Sequence, residues 1–319
     1  MSDQYTLPFP RVLRIEPSGA CNLSCSHCPT GTVKMERGVM RPQTFDLVLE
    51  NLKAQRDAVK VCVLYHGGEP LLNKHFADMA RAIKALGIPF VKTVSNGMLL
   101  TQPIIEALVD SGLDAIEFSL DGVSPAQNNF IRRAGDYETV VAHIKALVAY
   151  KQHTGSARPQ ISISSTQFLP APPDIERYKD LDPAPPGYLR EEFAEEVAAG
   201  EIDFKTTWAM QWPHMEVETD VYDLYEDTED SYQNQCDHVQ STMTVRWNGD
   251  VVGCCYDLTS QFVLGNIHEA NLSEIWNNQK YRGLRRSIEN QKYIPLCANC
   301  NVVRPNVYLL LKSEVLLTV

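Results

Sequence analysis

The sequence predicts an α/β fold of parallel βαβ units with a smaller cysteine-bearing module behind it. Three observations predict it. Short β-rich runs alternate with helical stretches from Val12 to Met210, the rhythm of parallel strands joined by crossover helices. The polar signals (the loop at Cys21, Gly67 to Glu69, Ser95 to Gly97, and Asp121) all fall at strand ends, where such folds place their ligands. Cysteines gather at both ends of the chain, Cys21, Cys25 and Cys28 early and Cys236, Cys254, Cys255, Cys297 and Cys300 late.

Taken in order, Arg11 to Glu16 is a short apolar strand that runs into the cysteine loop. Thr44 to Arg56 has helical periodicity through Phe45, Val48, Leu49 and Leu52. Val59 to Tyr65 is a strand ending in His66-Gly67-Gly68-Glu69-Pro70, and Asn73 to Leu86 is a helix stopped by Gly87. Phe90 to Val94 is a strand ending in Ser95-Asn96-Gly97, after which Thr101 caps a helix that runs to Gly112. Ala115 to Leu120 is the next strand, with Asp121-Gly122 after it. Its alternation puts Glu117, Ser119 and Asp121 on one face and Phe118 and Leu120 on the other. Tyr137 to Tyr150 is a helix, and Gln160 to Phe168 and Phe204 to Met210 are the last two strands. Between them, residues 169–202 break the rhythm with Pro170, Pro172, Pro173, Pro183, Pro185 and Pro186 before an acidic helix over Leu189 to Ala199. That stretch is either a functional lid or a solvated insertion.

Composition excludes several classes. The chain has 319 residues, 44% of them hydrophobic, and a formal charge of −11. No basic stretch exceeds a pair such as Arg285-Arg286, which argues against a nucleic-acid partner. No apolar run reaches the roughly 18 residues of a membrane span, and the first residues lack the apolar core of a signal peptide. The tail Val307 to Val319, broken by Lys312 and Glu314, is expected to pack rather than insert. An odd cysteine count, nine, with no export signal fits metal or cluster ligation in a reducing cytoplasm better than disulfides.

Cys21, Cys25 and Cys28 have the spacing Cys-x3-Cys-x2-Cys on one loop. Three thiolates there can hold a cubane with one iron left free of protein ligands. The same spacing fits a structural zinc loop with a distant fourth ligand, or buried free thiols. In the second set, Met243 to Trp247 reads as a strand turned by Asn248-Gly249. This hairpin carries Cys236 and Cys254 at its base and is met by Cys297-x2-Cys300, behind a helix built on Leu272, Ile275, Trp276 and Leu284. Four thiolates make a closed site for a cluster or for zinc. Cys254 is favoured over Cys255 as the ligand, and Cys62 reads as core.

Together these motifs resemble the radical S-adenosylmethionine (SAM) superfamily, in its SPASM and twitch branch, over roughly Arg11 to Asn301. The resemblance implies a partial (βα)6 TIM barrel over residues 1–212 and an auxiliary-cluster module over 236–319; residues 213–235 between them are strongly acidic and read as a linker. It implies that Cys21, Cys25 and Cys28 hold a [4Fe–4S] cluster whose open iron chelates the amino and carboxylate groups of SAM. Gly67, Gly68 and Glu69 match the motif that receives the SAM amino group. Ser119, Asp121, Arg132, His27 and Asn96 stand where relatives surround the cofactor, although a surface salt bridge is an equal reading of Arg132. Cys236, Cys254, Cys297 and Cys300 would hold one auxiliary [4Fe–4S] cluster of the shorter twitch type. An electron donor of the flavodoxin or ferredoxin kind is implied.

The activity expected on that basis is reductive cleavage of SAM to a 5′-deoxyadenosyl radical that abstracts hydrogen from a substrate. The favoured outcome is two-electron oxidation of a small molecule such as a sugar, with the auxiliary cluster accepting an electron. Glu117 and His66 are the candidate proton acceptors, Glu117 reading also as a buried carboxylate that serves only SAM, and Ser162, Ser164, Lys205 and Trp208 are candidates to face the substrate. A peptide-modifying enzyme of the same branch is the alternative. The short lead before the first strand leans toward the small molecule. A non-catalytic zinc- or cluster-binding protein is the third reading.

Overall fold

The computed structural model describes residues 4–169, 177, 181–226, 232–298, 300–304 and 306–312. Six parallel strands form its backbone: β1 (Val12–Ile15), β2 (Val61–Leu64), β3 (Phe90–Ser95), β4 (Ala115–Ser119), β5 (Gln160–Gln167) and β6 (Ile202–Trp208). They pair in sequence order. Helices cross between them: α1 (Pro29–Thr32), α2 (Pro42–Ala54), α3 (Phe76–Ala85), α4 (Gln102–Asp110), α5 (Pro125–Ile131) and α6 (Tyr137–Thr154). Apolar residues of α2, α3, α4 and α6 bury against Leu13, Ile15, Cys62, Leu64, Val91, Ile116 and Phe118 in one continuous core. Cys62 is fully buried there. This is the mixed α/β architecture of parallel units expected from the alternating pattern, in the partial-barrel form that the family resemblance implied.

The barrel stays open because the free side of β1 is taken by another strand. β7 (Tyr222–Glu226) lies elsewhere, but β8 (Thr242–Val245) runs parallel to β1, Leu13 opposite Met243. β9 (Asp250–Val252) turns back through Asn248-Gly249, where Gly249 has φ of 91°, and β10 (Val263–Asn266) follows. The result is one nine-stranded sheet in the order β10-β9-β8-β1-β2-β3-β4-β5-β6. The cysteine hairpin is thus continuous with the barrel sheet.

Several segments differ from the sequence reading. The acidic stretch read as a linker contains β7, an edge strand that turns Tyr222 inward (1% exposed) and Asp223 and Glu226 outward. β7 pairs antiparallel with β11 (Val307–Leu311). All of β11 is buried, and it bonds the run after β6 through Leu309 N to Ala209 O, 2.9 Å. The apolar tail therefore packs as far as it is described; residues 313–319, like Pro170, Pro172 and Pro173, lie outside the described residues. The helix expected over Leu189 to Ala199 breaks at Phe193, whose φ of −110° leaves the helical region, into Gly187–Glu192 and Ala194–Ala198. Among the described residues no helix is long and apolar enough to cross a membrane.

The end of β1 is fastened by Glu16, which has no exposed surface. Its carboxylate accepts from Gly67 N (3.0 Å), Trp247 N (3.2 Å) and Arg246 Nε (3.1 Å). One residue thus joins the loops after β1 and β2 to the β8–β9 turn. Burial opposes its charge, but His66, Arg246 and the two amides outweigh that and hold its pKa below the ordinary value. Next to it His66, 2% exposed, donates from Nε2 to the Asp257 carbonyl at 3.2 Å. Burial depresses the His66 pKa to about 4, against the partial opposition of Glu16. Folded His66 is therefore neutral where an unfolded histidine, titrating near ~6.5, takes up a proton. Between those two values the unfolded chain binds more protons, so stability falls as pH falls. Urea unfolding should lose on the order of 3 kcal/mol from this residue between about pH 6.5 and pH 4, and His66→Gln should flatten that part of the profile. An unchanged slope in the variant would refute the assignment.

Candidate active site

A cavity of about 370 Å³ opens at the carboxyl ends of the strands. Cys21, Cys25 and Cys28 line it together with Gly67, Gly68, Glu69 and Asn96. The loop that carries the thiols is held by backbone bonds from Ser24 N to Arg133 O (3.2 Å) and Ser26 N to Ile131 O (3.0 Å). The hydroxyl of Ser26 meets Tyr222 Oη at 2.6 Å, so β7 braces the loop from behind. Cys28 sits at the N-terminal cap of α1, whose Gly31 packs so closely on Cys25 that a side chain there would strike the Cys25 carbonyl.

The Gly67-Gly68-Glu69-Pro70 turn folds against the same loop. Glu69 N donates to Ala20 O at 2.8 Å, and a Cβ on Gly68 would collide with the Ser18 and Ala20 carbonyls. The Glu69 carboxylate accepts from Leu71 N (3.0 Å), Ser95 Oγ (2.9 Å) and Asn96 N (2.8 Å). It ties the end of β2 to the end of β3. Asn96 in turn donates to Asn22 Oδ1 at 2.8 Å and lies 3.8 Å from Cys21 Sγ.

On the far wall, Asp121 Oδ2 stands 2.7 Å from Arg132 Nη1, and Oδ1 accepts from Thr166 N at 2.8 Å. Both side chains are buried, 1% and 11% exposed, so Arg132 forms no surface salt bridge. Burial works against the Asp121 charge, but Arg132, His27 and Thr166 keep its pKa below the ordinary value. His27 Nε2 is 3.6 Å from Asp121 Oδ2, and its ring meets Phe168 edge-on at 6.2 Å. Burial lowers the His27 pKa, so the ring is neutral near pH 7. Ser119 also lines the cavity.

The two candidate bases fare differently from their sequence reading. His66 is not among the residues lining the cavity; it faces Asp257 in the junction described above. Glu117 does line it, but Lys92 Nζ (2.7 Å) and Lys205 Nζ (2.9 Å) both hold its Oε1. Burial would raise its pKa, yet the two lysines outweigh burial and lower it. A carboxylate so stabilised is a poor proton acceptor. Ser164 and Trp208 reach the cavity, whereas Ser162 does not and Lys205 reaches it through Glu117. Sequence reasoning missed Trp212, Tyr256, Leu258 and Asn301, which also line it. Asn301 directly follows Cys300, and Tyr256 follows the Cys254-Cys255 pair, the one signal that pointed to them.

The second thiol set is sealed. Cys236, Cys254, Cys297 and Cys300 are each 6–7% exposed. Burial pushes every one of these thiols up, Cys297 to about 12 and Cys300 to about 11, and the neighbouring sulfurs push Cys254, Cys297 and Cys300 further. Cys255 Sγ lies 3.3 Å from His238 Nδ1 instead. Such a set becomes thiolate only against a multivalent cation. An all-thiol donor set fits an iron–sulfur cluster or a four-thiolate zinc.

Comparisons with known proteins agree with this geometry. A family model for the radical SAM superfamily matches residues 15–158, and one for an iron-sulfur cluster-binding domain, SPASM, matches residues 236–301. The chain is 27% identical over 324 residues to the tungsten-containing aldehyde ferredoxin oxidoreductase cofactor-modifying protein of Pyrococcus furiosus, covering 92% of this chain and 87% of that protein. It is 23% identical to the S-adenosyl-L-methionine-dependent 2-deoxy-scyllo-inosamine dehydrogenase of Niallia circulans, covering 92% and 93%. Among solved structures, BtrN in complex with AdoMet and 2-DOIA superposes with a TM-score of 0.58 at 17% identity, over 92% of this chain and 94% of that one, a likeness of fold. The chain belongs to the radical SAM superfamily, in its SPASM and twitch branch, and is a radical SAM enzyme whose cofactors are SAM, a SAM-binding [4Fe–4S] cluster and an auxiliary iron–sulfur cluster.

Proposed function

We propose that this enzyme carries out a two-electron oxidation, a dehydrogenation, of a small molecule. The observation that carries the reading is that one cavity is walled by both ends of the chain. Cys21, Cys25 and Cys28 of the first loop line it, as do Tyr256, Leu258 and Asn301 of the C-terminal module. A substrate in it is therefore close to both cofactor sites. In this reading Cys21, Cys25 and Cys28 hold the SAM-binding cluster, and Cys236, Cys254, Cys297 and Cys300 saturate the auxiliary one. None of the latter four lines the cavity, which favours an electron-accepting role over substrate binding. The relatives named as a dehydrogenase and as a cofactor-modifying protein both point to a small-molecule target.

When bound, SAM and its cluster supply a hydrogen-abstracting radical, and the auxiliary cluster supplies an electron acceptor. The chain supplies placement. In this reading the Gly67 to Glu69 turn would receive the cofactor's amino group, Arg132 would stand near its carboxylate, Ser119 and Asp121 would contact its ribose or carboxylate, and His27 would lie beside its adenine. The Asp121–Arg132 pair is internally neutral, so it can hydrogen-bond the cofactor without adding charge to the cavity. Trp208, Trp212 and Tyr256 exclude water. Glu117, kept ionised by its lysines, would position the substrate, and of the two hydrogens lost one would leave as an atom to the radical and the other as a proton to solvent, its electron passing to the auxiliary cluster.

Anaerobically reconstituted protein should bind about eight irons per chain, falling to about four in a Cys21/Cys25/Cys28→Ala triple variant. With SAM and dithionite the wild type should release 5′-deoxyadenosine and the triple variant none. Absence of 5′-deoxyadenosine from the fully loaded wild type would sink the reading. Cys297→Ser should keep SAM cleavage but lose oxidation of a panel containing aminocyclitols such as 2-deoxy-scyllo-inosamine, read as products short of two hydrogens. Turnover of a peptide panel in place of the small molecules would instead assign peptide maturation.

A further inference from the structure

The inner wall of the partial barrel carries hydrogen-bonding groups that the rest of the chain does not use. Glu117 of β4 lines the cavity, whereas the two lysines that hold it are not among the lining residues. Both ammoniums bond the same oxygen, Oε1, at 2.7 and 2.9 Å. Oε2 accepts no hydrogen bond among the described residues, so it is the oxygen left for the cavity. Ser164 and Thr166 continue the inner face on β5, and Thr207 of β6 stands opposite Thr166. All three line the cavity, and their hydroxyls have no hydrogen-bond partner among the described residues. Neighbouring hydroxyls on the same strands are satisfied within the chain: Thr93 Oγ1 donates to Leu64 O, and Ser165 Oγ accepts from Gln167 Nε2, each at 2.8 Å. A carboxylate oxygen only accepts, while a hydroxyl both donates and accepts. A ligand rich in O–H groups is complementary to such a wall. Charge narrows the choice. An anion would meet the free carboxylate oxygen, and an ammonium would meet two like charges already bound to that carboxylate. A hydroxyl gains a charge-assisted hydrogen bond and brings no like charge.

We propose that Glu117 Oε2, with the hydroxyls of Ser164, Thr166 and Thr207, binds the hydroxyl groups of a neutral polyol substrate, a sugar or a cyclitol. The inference rests on the reading that this cavity takes the substrate, and it narrows that substrate away from amines and acids. Lys92 and Lys205 act through Glu117: they fix its rotamer and keep it an acceptor. Ser164 stands opposite Ser119 in the β4–β5 register, so a polyol held here lies beside the residues assigned to the cofactor.

The test compares a neutral ring with its charged counterpart. Scyllo-inositol, D-glucose and scyllo-inosamine, which carries an ammonium in place of one hydroxyl, are titrated calorimetrically with SAM present into the anaerobic, fully loaded enzyme. Saturable binding is expected for at least one of the two neutral polyols, and tighter than for scyllo-inosamine. In preparations matched for iron content, Glu117→Gln should weaken polyol binding about tenfold to a hundredfold, the loss of a hydrogen bond to a charged acceptor. Ser164→Ala and Thr207→Val should each weaken it about threefold, the smaller effect of a neutral hydrogen bond. Binding of neither polyol, tighter binding of scyllo-inosamine, or a Glu117→Gln variant that binds polyol as well as wild type would overturn the proposal. A Glu117→Gln variant that loses affinity for SAM alone would overturn it too, and would assign the carboxylate to the cofactor. Formation of 5′-deoxyadenosine with dithionite is scored on the wild-type preparation. Its absence with polyol binding retained would count against the radical chemistry and not against the polyol site.

Discussion

The buried carboxylate of Glu16 is the interaction on which the rest of the structure depends. A charge with no exposed surface survives only if its hydrogen-bonding positions are filled. Here they are filled by Gly67 N, Trp247 N and Arg246 Nε, three groups from the two modules that flank β1. The sheet continuity between β1 and β8 sets the distance, and Glu16 sets the angle at which the glycine turn and the hairpin turn meet. The glycine turn then fixes the cysteine loop through Glu69 N and Ala20 O. A single ionised side chain therefore orients both thiol sites relative to one cavity.

The cavity shows how strand alternation is put to chemical use. On β4, Phe118 has no exposed surface and faces the helices, while Glu117, Ser119 and then Asp121 face the interior. In a closed barrel that interior would be filled by apolar side chains. Six strands leave room for polar residues instead, and these are satisfied in pairs: Asp121 by Arg132, Glu117 by two lysines. The pairs differ in consequence. The first is neutral, deep and rigid, which suits a cofactor wall. The second retains a net positive charge and solvent contact.

Much of this was legible in the residues, for identifiable reasons. Parallel strands announce themselves through β-branched runs and end in the glycine and asparagine turns that carry the site, so β1 to β6 fell within a few residues of their expected bounds. Helix α5 was overlooked, although Ser124-Pro125 is a cap-and-first-turn signal and Ser124 Oγ does accept from Gln127 N at 3.1 Å. Its brevity, seven residues, left too little periodicity to register. β7 was hidden by composition. Its Asp and Glu face outward from an edge strand, and only Tyr222 betrays the buried side. The candidate bases could not be judged from sequence, because their protonation depends on partners far along the chain: Lys205 for Glu117, Asp257 for His66. The same holds for Trp212 and Tyr256, which meet at 4.9 Å across a sequence gap no local pattern spans.

The two thiol sets are built alike in ligand type but sit in different fields, and the difference bears on their roles. Cys25 is pushed up by burial to about 12, yet Arg132 stands near enough to pull in the opposite direction. Cys21 has that same guanidinium and an amide hydrogen bond from Leu23 N at 3.4 Å. The first loop thus lies beside a fixed cation and an open cavity, so a negatively charged centre there is partly stabilised while still reachable. Around Cys254 burial and the other sulfurs all act to raise its pKa, and the only opposition is one backbone amide. Loading that site must displace protons that the folded module holds tightly, so metal binding and module folding are one linked equilibrium. In the proposed reading a centre so enclosed would take an electron rather than a substrate. Tyr256, which follows the Cys254-Cys255 pair, lines the cavity, and its ring is 5.1 Å from His238.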